Sequence, residues 1–251
     1  MRPVHSLVHS RARVESRYAL MPLEGFPFSR LPSWPEAQVR VLAAPALGAS
    51  FVQYLIDLPA GRRGEFAGGG FETFFYVLSG SGRFDDGHGR GRDLVAGSFG
   101  LVPPTHVTRV KAAEAMSLLV LRKRYEPIPP DRWDFTGHYG HESDVEKTVW
   151  ADDPGARLQT LIPDDLQYDL AMNVFTFDPG HGLPVVETHV MEHGLYFLTG
   201  KGVYFLNGQW MEVERDDFIW MGPYCPQSFY AVGPGPARYL YYKNVNREIP
   251  L

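Results

Sequence analysis

Hydrophobic and polar positions follow the same order twice along the chain. The segment FETFFYVLSGSGRF at 71–84 has an apolar, aromatic run, a Ser-Gly-x-Gly turn and a second run, and MEHGLYFLTGKGVYF at 191–205 repeats this order with Thr-Gly-x-Gly. Two further pairs of segments match in the same way: VAGSFGLVPPTH at 95–106 with ERDDFIWMGPYCPQ at 214–227, and LLVLRKRY at 118–125 with YLYYKNVN at 239–246. Short β-branched and aromatic runs between Gly and Pro turns predict strands. The common offset of about 120 residues predicts a duplicated domain.

The pattern therefore predicts an all-β protein of two double-stranded β-helix, or jelly-roll, barrels. We expect the first barrel, with an N-terminal arm, over residues 1–130, a linker over 131–150 and the second barrel over 151–251. The segment YEPIPPDRWDFTGHYGHESDVEKTV between the halves is rich in Pro, Gly and charge, which favours a linker or a crossing segment.

Candidate metal donors cluster in the second half, in PVVETHVMEHGLYFLTGKG at 184–202. The β-branched and aromatic flanks predict a strand, on which Glu187 and His189 would point to the same face. His193 can reach the same point if that strand bends. Gln227 follows downstream in MGPYCPQSFY. These four side chains are the predicted metal ligands.

The spacing of these residues resembles the two cupin motifs. Glu187 and His189 stand where the two histidines of the first motif usually stand, and His193 stands where its Glu usually stands. In the second motif, Asp217 matches the acidic turn and Gln227 takes the place of the final His. Gly222 fills the usual Pro position, with Pro223 just after it. The resemblance implies a bicupin whose ligand types are permuted. The alternative is that Glu and His are ordinary polar residues on a solvated strand face.

The first half keeps the strand pattern and lacks the donors. The counterparts of the four ligands there are Ala67, Gly69, Thr73 and Thr108, and His106 lies two positions short of the last of them. We therefore expect one metal, in the second barrel only.

Composition and charge exclude several classes of protein. The 251 residues are 44% hydrophobic and 14% aromatic, enough for a substantial core, and the net charge of -5 opposes nucleic-acid binding through a basic surface. The single cysteine, Cys225, excludes an intrachain disulfide and is expected to be a buried packing thiol. We expect neither a membrane span nor a secretory signal, and hence a cytoplasmic protein.

The basic run at 122–124 has two interpretations. A solvated strand edge is favoured, and a contact with an anion or a partner is the alternative. The aromatic content also predicts a homo-oligomer that buries sheet edges between subunits.

Over 42–251 the chain resembles the (S)-ureidoglycine aminohydrolases, a family of two-barrel cupins. The stretches that carry the resemblance are PALGASFVQYLIDL, GFETFFYVLSGSG, ETHVMEHGLYFLTGKGVYFLNGQW and YKNVNREIPL. The resemblance implies a manganese-dependent hydrolase of allantoin degradation that releases ammonia from (S)-ureidoglycine and gives (S)-ureidoglycolate. It implies metal ligation by the four donors, and substrate contacts from Tyr239 and Lys243, with Glu187 and Gln227 at the substrate and Tyr204 lining the same cavity.

The expected chemistry follows from the donor types. Carboxylate and amide oxygens with two imidazoles suit Mn²⁺, and other divalent ions remain possible. Glu187 and Lys243 are the catalytic candidates: Glu187 for proton transfer, and Lys243 for the charge of the substrate carboxylate. Two alternatives remain, a metal-dependent cupin dioxygenase and a non-catalytic cupin that binds a small molecule.

Overall fold

A computed structural model describes residues 11–87, 91–127 and 136–244. The described chain forms 22 strands and three short 3-10 turns, at Leu23–Gly25, Pro45–Leu47 and Glu142–Asp144, and these residues contain no α-helix. None of the described segments is a helix long and apolar enough to cross a membrane. The all-β prediction is confirmed. Residues 245–251, which belong to one of the four stretches that resemble the family, lie outside the described residues, as does 128–135 of the predicted first barrel and linker.

The first of two compact units comprises residues 27–145 and 162–169. Its larger sheet has the order β13-β10-β7-β12-β5-β4-β3 and its smaller sheet the order β6-β11-β8-β9. The strands are β3 (Ser29–Leu31), β4 (Trp34–Ala43), β5 (Phe51–Leu58), β6 (Arg63–Phe66), β7 (Phe71–Ser79), β8 (Ser81–Asp85), β9 (Gly91–Val95), β10 (Ser98–Val102), β11 (Thr108–Ala112), β12 (Met116–Arg124) and β13 (His138–His141). Apolar side chains from both sheets form one core cluster, which includes Trp34, Ile56, Phe75, Phe84 and Val110.

The second unit combines residues of the N-terminal segment up to Phe26 with 146–161 and the chain from Leu170. Its larger sheet has the order β1-β2-β20-β17-β22-β16-β15-β14 and its smaller sheet the order β19-β18-β21. The strands are β1 (Arg13–Val14), β2 (Tyr18–Met21), β14 (Thr148–Trp150), β15 (Asp153–Thr160), β16 (Ala171–Phe177), β17 (His193–Thr199), β18 (Lys201–Leu206), β19 (Gln209–Glu214), β20 (Phe218–Met221), β21 (Gln227–Ala231) and β22 (Ala237–Lys243). Its core is rich in aromatic rings, among them Phe175, Phe197, Tyr204, Phe229 and Tyr239.

The N-terminal arm belongs to the second unit, although its place in the sequence grouped it with the first barrel. Strand β2 pairs antiparallel with β20 over Tyr18–Met21 and Phe218–Met221. Arg11 also forms a two-pronged ion pair with the buried Asp217, with Nη2 donating to Oδ1 at 2.9 Å. The arm thus covers the edge that β20 would otherwise expose.

Replacing Arg11 with Met should destabilise the second unit by about 1 to 3 kcal/mol near pH 7.5, because Asp217 would keep a buried charge without its partner. Burial raises the pKa of Asp217 even with Arg11 beside it. The variant should therefore recover stability as the pH falls and the carboxyl becomes protonated. Thermal unfolding near pH 7.5 and pH 5 measures this. Arg13→Met is the matched control, and an equal loss of stability at both pH values would contradict the prediction.

The basic run at 122–124 is not a solvated strand edge, so that prediction is wrong. Strand β12 lies in the middle of its sheet, between β5 and β7. Lys123 is buried, and its ammonium group donates to the Asp169 carboxylate at 2.5 Å. Only Arg124 of the three side chains is exposed. The local sequence could not show this, because the neighbours of a central strand come from distant segments. Cys225 is buried, as predicted.

Candidate active site

A loop, and not one continuous strand, carries Glu187 and His189. The predicted strand through these residues is wrong: β17 begins at His193, and Glu187 makes only an isolated backbone bridge with Gln227. In that bridge each backbone N–H donates to the other residue's carbonyl, at 2.8 and 2.9 Å. The His189 carbonyl accepts the N–H of Tyr224 at 2.7 Å. These bonds fix the loop against the start of β21, so the donors still come together.

The two histidines face each other through their Nε2 atoms, which are 3.0 Å apart. His189 Nδ1 lies 3.0 Å from the Met191 carbonyl, and His193 Nδ1 lies 2.8 Å from the Tyr242 carbonyl. A carbonyl oxygen only accepts, so in both rings Nδ1 carries the proton. Burial lowers the pKa of both rings, that of His193 to about 3. A positive charge on His189 would also disfavour protonation of His193. Each neutral ring therefore turns an Nε2 lone pair toward the other.

Gln227 completes this group. Its amide nitrogen lies 3.1 Å from His189 Nε2, and its amide oxygen accepts from the Tyr204 hydroxyl at 3.2 Å. The Tyr239 ring packs against that of Tyr204, with centroids 6.2 Å apart. The Tyr204 hydroxyl thus holds the Gln227 amide beside the His189 ring.

All but one of the predicted site residues line one small cavity, of about 70 Å³. The predicted residues around it are Glu187, His193, Tyr204, Gln227, Tyr239 and Lys243. His189 reaches the same place through its contacts with His193 and Gln227. Such a volume holds about five water molecules, which fits a small polar substrate better than a large cofactor.

Glu187 lines the same cavity, but its carboxyl group is not in close contact with the two imidazoles. Among the described residues, no three side chains of the types His, Cys, Asp and Glu converge as a metal cluster would. Burial raises the pKa of Glu187, and the Lys243 ammonium partly offsets this. The site therefore combines two neutral imidazoles, an amide, one carboxyl group that protonates more readily than usual, and one cation.

Sequence reasoning missed six further residues of the cavity wall, three of them aromatic: Trp150, Phe175 and Tyr241. The sequence did contain a signal for Tyr241: on β22 it is two residues from both Tyr239 and Lys243, so the three side chains share one face of the strand. Trp150 lies in the segment predicted as linker, and nothing in its local sequence indicates a place at the site.

Comparison with known proteins agrees with this geometry. The family model described as "Cupin domain" matches residues 173–242. The (S)-ureidoglycine aminohydrolase of Escherichia coli (strain K12) is 34% identical over 98% of this chain and 95% of its own length, and that of Arabidopsis thaliana is 30% identical over 95% and 79%. The crystal structure of protein Ylba from E. coli superimposes with a TM-score of 0.85, at 33% identity, over 100% of both chains.

The chain belongs to the (S)-ureidoglycine aminohydrolase family. The predicted bicupin fold is thereby confirmed. In this family member the two barrels are related by register as well as by sequence: His193 pairs with Lys243 across β17 and β22, and Thr73 pairs with Arg122 across β7 and β12. Arg122 is therefore the first-barrel counterpart of Lys243.

Arg122 occupies the place in the first barrel that corresponds to the donor cluster. Its Nε donates to the Thr73 hydroxyl at 3.2 Å, and its Nη2 donates to the Ala67 carbonyl at 2.6 Å. Ala67 and Thr73 are the counterparts of Glu187 and His193. Burial lowers the pKa of Arg122. In the first barrel, the Arg122 guanidinium thus joins the two segments whose second-barrel counterparts carry Glu187 and His193.

Replacing Arg122 with Met should destabilise the first barrel by about 1 to 3 kcal/mol, because two hydrogen bonds to a half-buried charge are lost. Arg124→Met is the matched control, since both guanidinium groups lie over the Phe71 ring, at 5.3 and 5.0 Å, while the bonds to Thr73 and Ala67 belong to Arg122. Thermal unfolding measures the difference. Equal melting temperatures for the two variants would refute the prediction.

Proposed function

We propose that this chain hydrolyses (S)-ureidoglycine to (S)-ureidoglycolate and ammonia, a step of allantoin degradation. The observation that carries the proposal is the convergence of six predicted side chains on one small cavity of the second barrel. Membership of the family supplies the reaction class. In the reaction, water adds its oxygen to the substrate carbon, the bond from that carbon to the amino nitrogen breaks, and a proton from water goes to the departing nitrogen.

The donor set fits a divalent cation. Two opposed Nε2 lone pairs at 3.0 Å repel each other unless a positive charge lies near both, and the tautomers leave neither ring a proton there. We propose that His189, His193, Gln227 and Glu187 hold Mn²⁺, with other divalent ions as alternatives. Gln227 would bind through its amide oxygen, after the amide turns so that this oxygen faces the imidazoles. When bound, the ion would orient the substrate and acidify a water molecule. The first barrel, with Ala67, Gly69, Thr73 and Thr108 at the matching positions, would hold none.

Lys243 and Glu187 have distinct parts in the proposed reaction. The Lys243 ammonium lies at the cavity and would pair with the substrate carboxylate, which fixes one end of the molecule. Glu187 is the carboxyl group of the described cavity wall, and we propose that it passes a proton to the departing amino nitrogen. Tyr239, Tyr204 and Gln227 form the polar wall that faces the substrate.

Ammonia release from freshly prepared (S)-ureidoglycine, together with metal analysis, tests this function. The expected result is stoichiometric ammonia with one metal ion per chain. Oxygen consumption with a redox-active metal would favour the dioxygenase alternative. Binding of ureidoglycine without turnover would favour a non-catalytic cupin. Either result would overturn the proposal.

A further inference from the structure

Tyr241 is a cavity residue with a firmly held ring. It lies on β22 between Tyr239 and Lys243, on the face that lines the cavity. Its ring stacks on Phe175, with centroids 5.4 Å apart and an interplanar angle of 13°, and meets His193 edge-on at 5.6 Å. A ring packed against two other rings has little freedom, so its hydroxyl has a fixed position.

Asn173 is placed to orient the hydroxyl. This residue lies opposite Tyr241 on β16 and is 7% exposed. Directly opposed residues of an antiparallel pair share one face of the sheet, so the Asn173 amide lies beside the Tyr241 ring, where it can donate to the phenolic oxygen and leave the phenolic proton for another acceptor.

Among the tyrosines of the cavity wall, Tyr204 already donates its proton to the Gln227 amide oxygen. Within the described ranges, Tyr241 makes no hydrogen bond in which its own proton is donated to a protein acceptor. A small ligand in the cavity is the partner that remains for this proton.

We propose that Tyr241, oriented by Asn173, donates a hydrogen bond to the ureido carbonyl oxygen of the substrate and so selects for that group. The inference rests on the proposed function. Tyr241 and Lys243 lie two residues apart on one face, about 7 Å along the strand. A short acid whose carboxylate is paired with Lys243 would direct its other polar end toward Tyr241. Asn173 is a positioning residue, because it acts through the Tyr241 hydroxyl.

A double-mutant cycle tests the proposal, using Tyr241→Phe, Asn173→Ala and the double variant. Tyr241→Phe should raise KM for ureidoglycine about tenfold, with kcat within about twofold, because it removes one hydrogen bond made throughout the reaction. Asn173→Ala alone should raise KM about threefold, and should add nothing in the Tyr241→Phe background. Tyr230→Phe is the matched control, since its exposed ring lies on β21 of the same unit and outside the cavity lining, and its KM should stay unchanged.

Two substrate analogues test which group is recognised. N-carbamoylglycine keeps the ureido carbonyl, and N-amidinoglycine replaces that oxygen with a nitrogen donor. As competitive inhibitors, the first should bind Tyr241→Phe about tenfold more weakly than the unaltered protein, and the second should bind both equally. Equal weakening of both analogues, an unchanged KM, or additive effects in the cycle would overturn the inference and leave the proposed function standing. Absence of ammonia release by the unaltered protein would overturn both.

Discussion

The double variant His189→Ala/His193→Ala is expected to lose its bound metal. Its rate of ammonia release should fall by a factor of about a thousand or more. The two rings supply the opposed Nε2 atoms, and both rings are oriented by backbone carbonyls. Alanine removes both donors and leaves Gln227 and Glu187, which cannot hold a divalent ion tightly alone. Metal content per chain, measured by mass spectrometry after dialysis, reports the loss independently of turnover.

His181→Ala is the matched control for this variant. His181 lies in the same unit, but its ring is partly exposed and pairs with the Asp153 carboxylate at 2.8 Å, away from the cavity lining. It should keep its metal and its activity. If the double variant of His189 and His193 retained one metal ion per chain, the proposed ligand set would be incorrect.

Lys243→Met is expected to keep its metal and to lose about a hundredfold to a thousandfold in kcat/KM. Removing one partner of a desolvated charge pair costs about 2 to 5 kcal/mol, and the substrate carboxylate would enter the cavity without its countercharge. Lys243→Arg should restore part of the activity, since it restores the charge with a different shape. Lys201→Met, an exposed lysine paired with Glu212, is the control and should be unchanged. Normal turnover by Lys243→Met would show that Lys243 has no part in the reaction.

The sequence predicts the duplicated β-fold and the members of the site because both depend on short-range patterns. Strand alternation and Gly turns repeat at a constant offset, and the four donors lie at spacings that a β-fold brings together. The strand predicted through Glu187 fails for a local reason. Pro184 cannot donate to a strand ladder, and the backbone of Glu187 pairs with Gln227 alone, so the chain before β17 is a loop.

Features that depend on the pairing of strands far apart in the chain could not be predicted from the sequence. Nothing in the basic run at 122–124 indicates that β5 and β7 flank it, or that Arg122 reaches Ala67 and Thr73. The role proposed for Asn173 likewise depends on its register with Tyr241 on another strand. Local polarity alone makes such residues look like surface positions.

The pairing of β2 with β20 has a consequence for the order in which the protein can fold during synthesis. The arm is synthesised before the first barrel, yet its partner strand is about 200 residues later in the chain. It must therefore wait, unpaired, while the first barrel is made. Tyr18 pairs with Met221, which lines the cavity, so that wall of the cavity gains its outer support only after β20 has been synthesised. A protein divided at the linker would leave the arm on the wrong fragment.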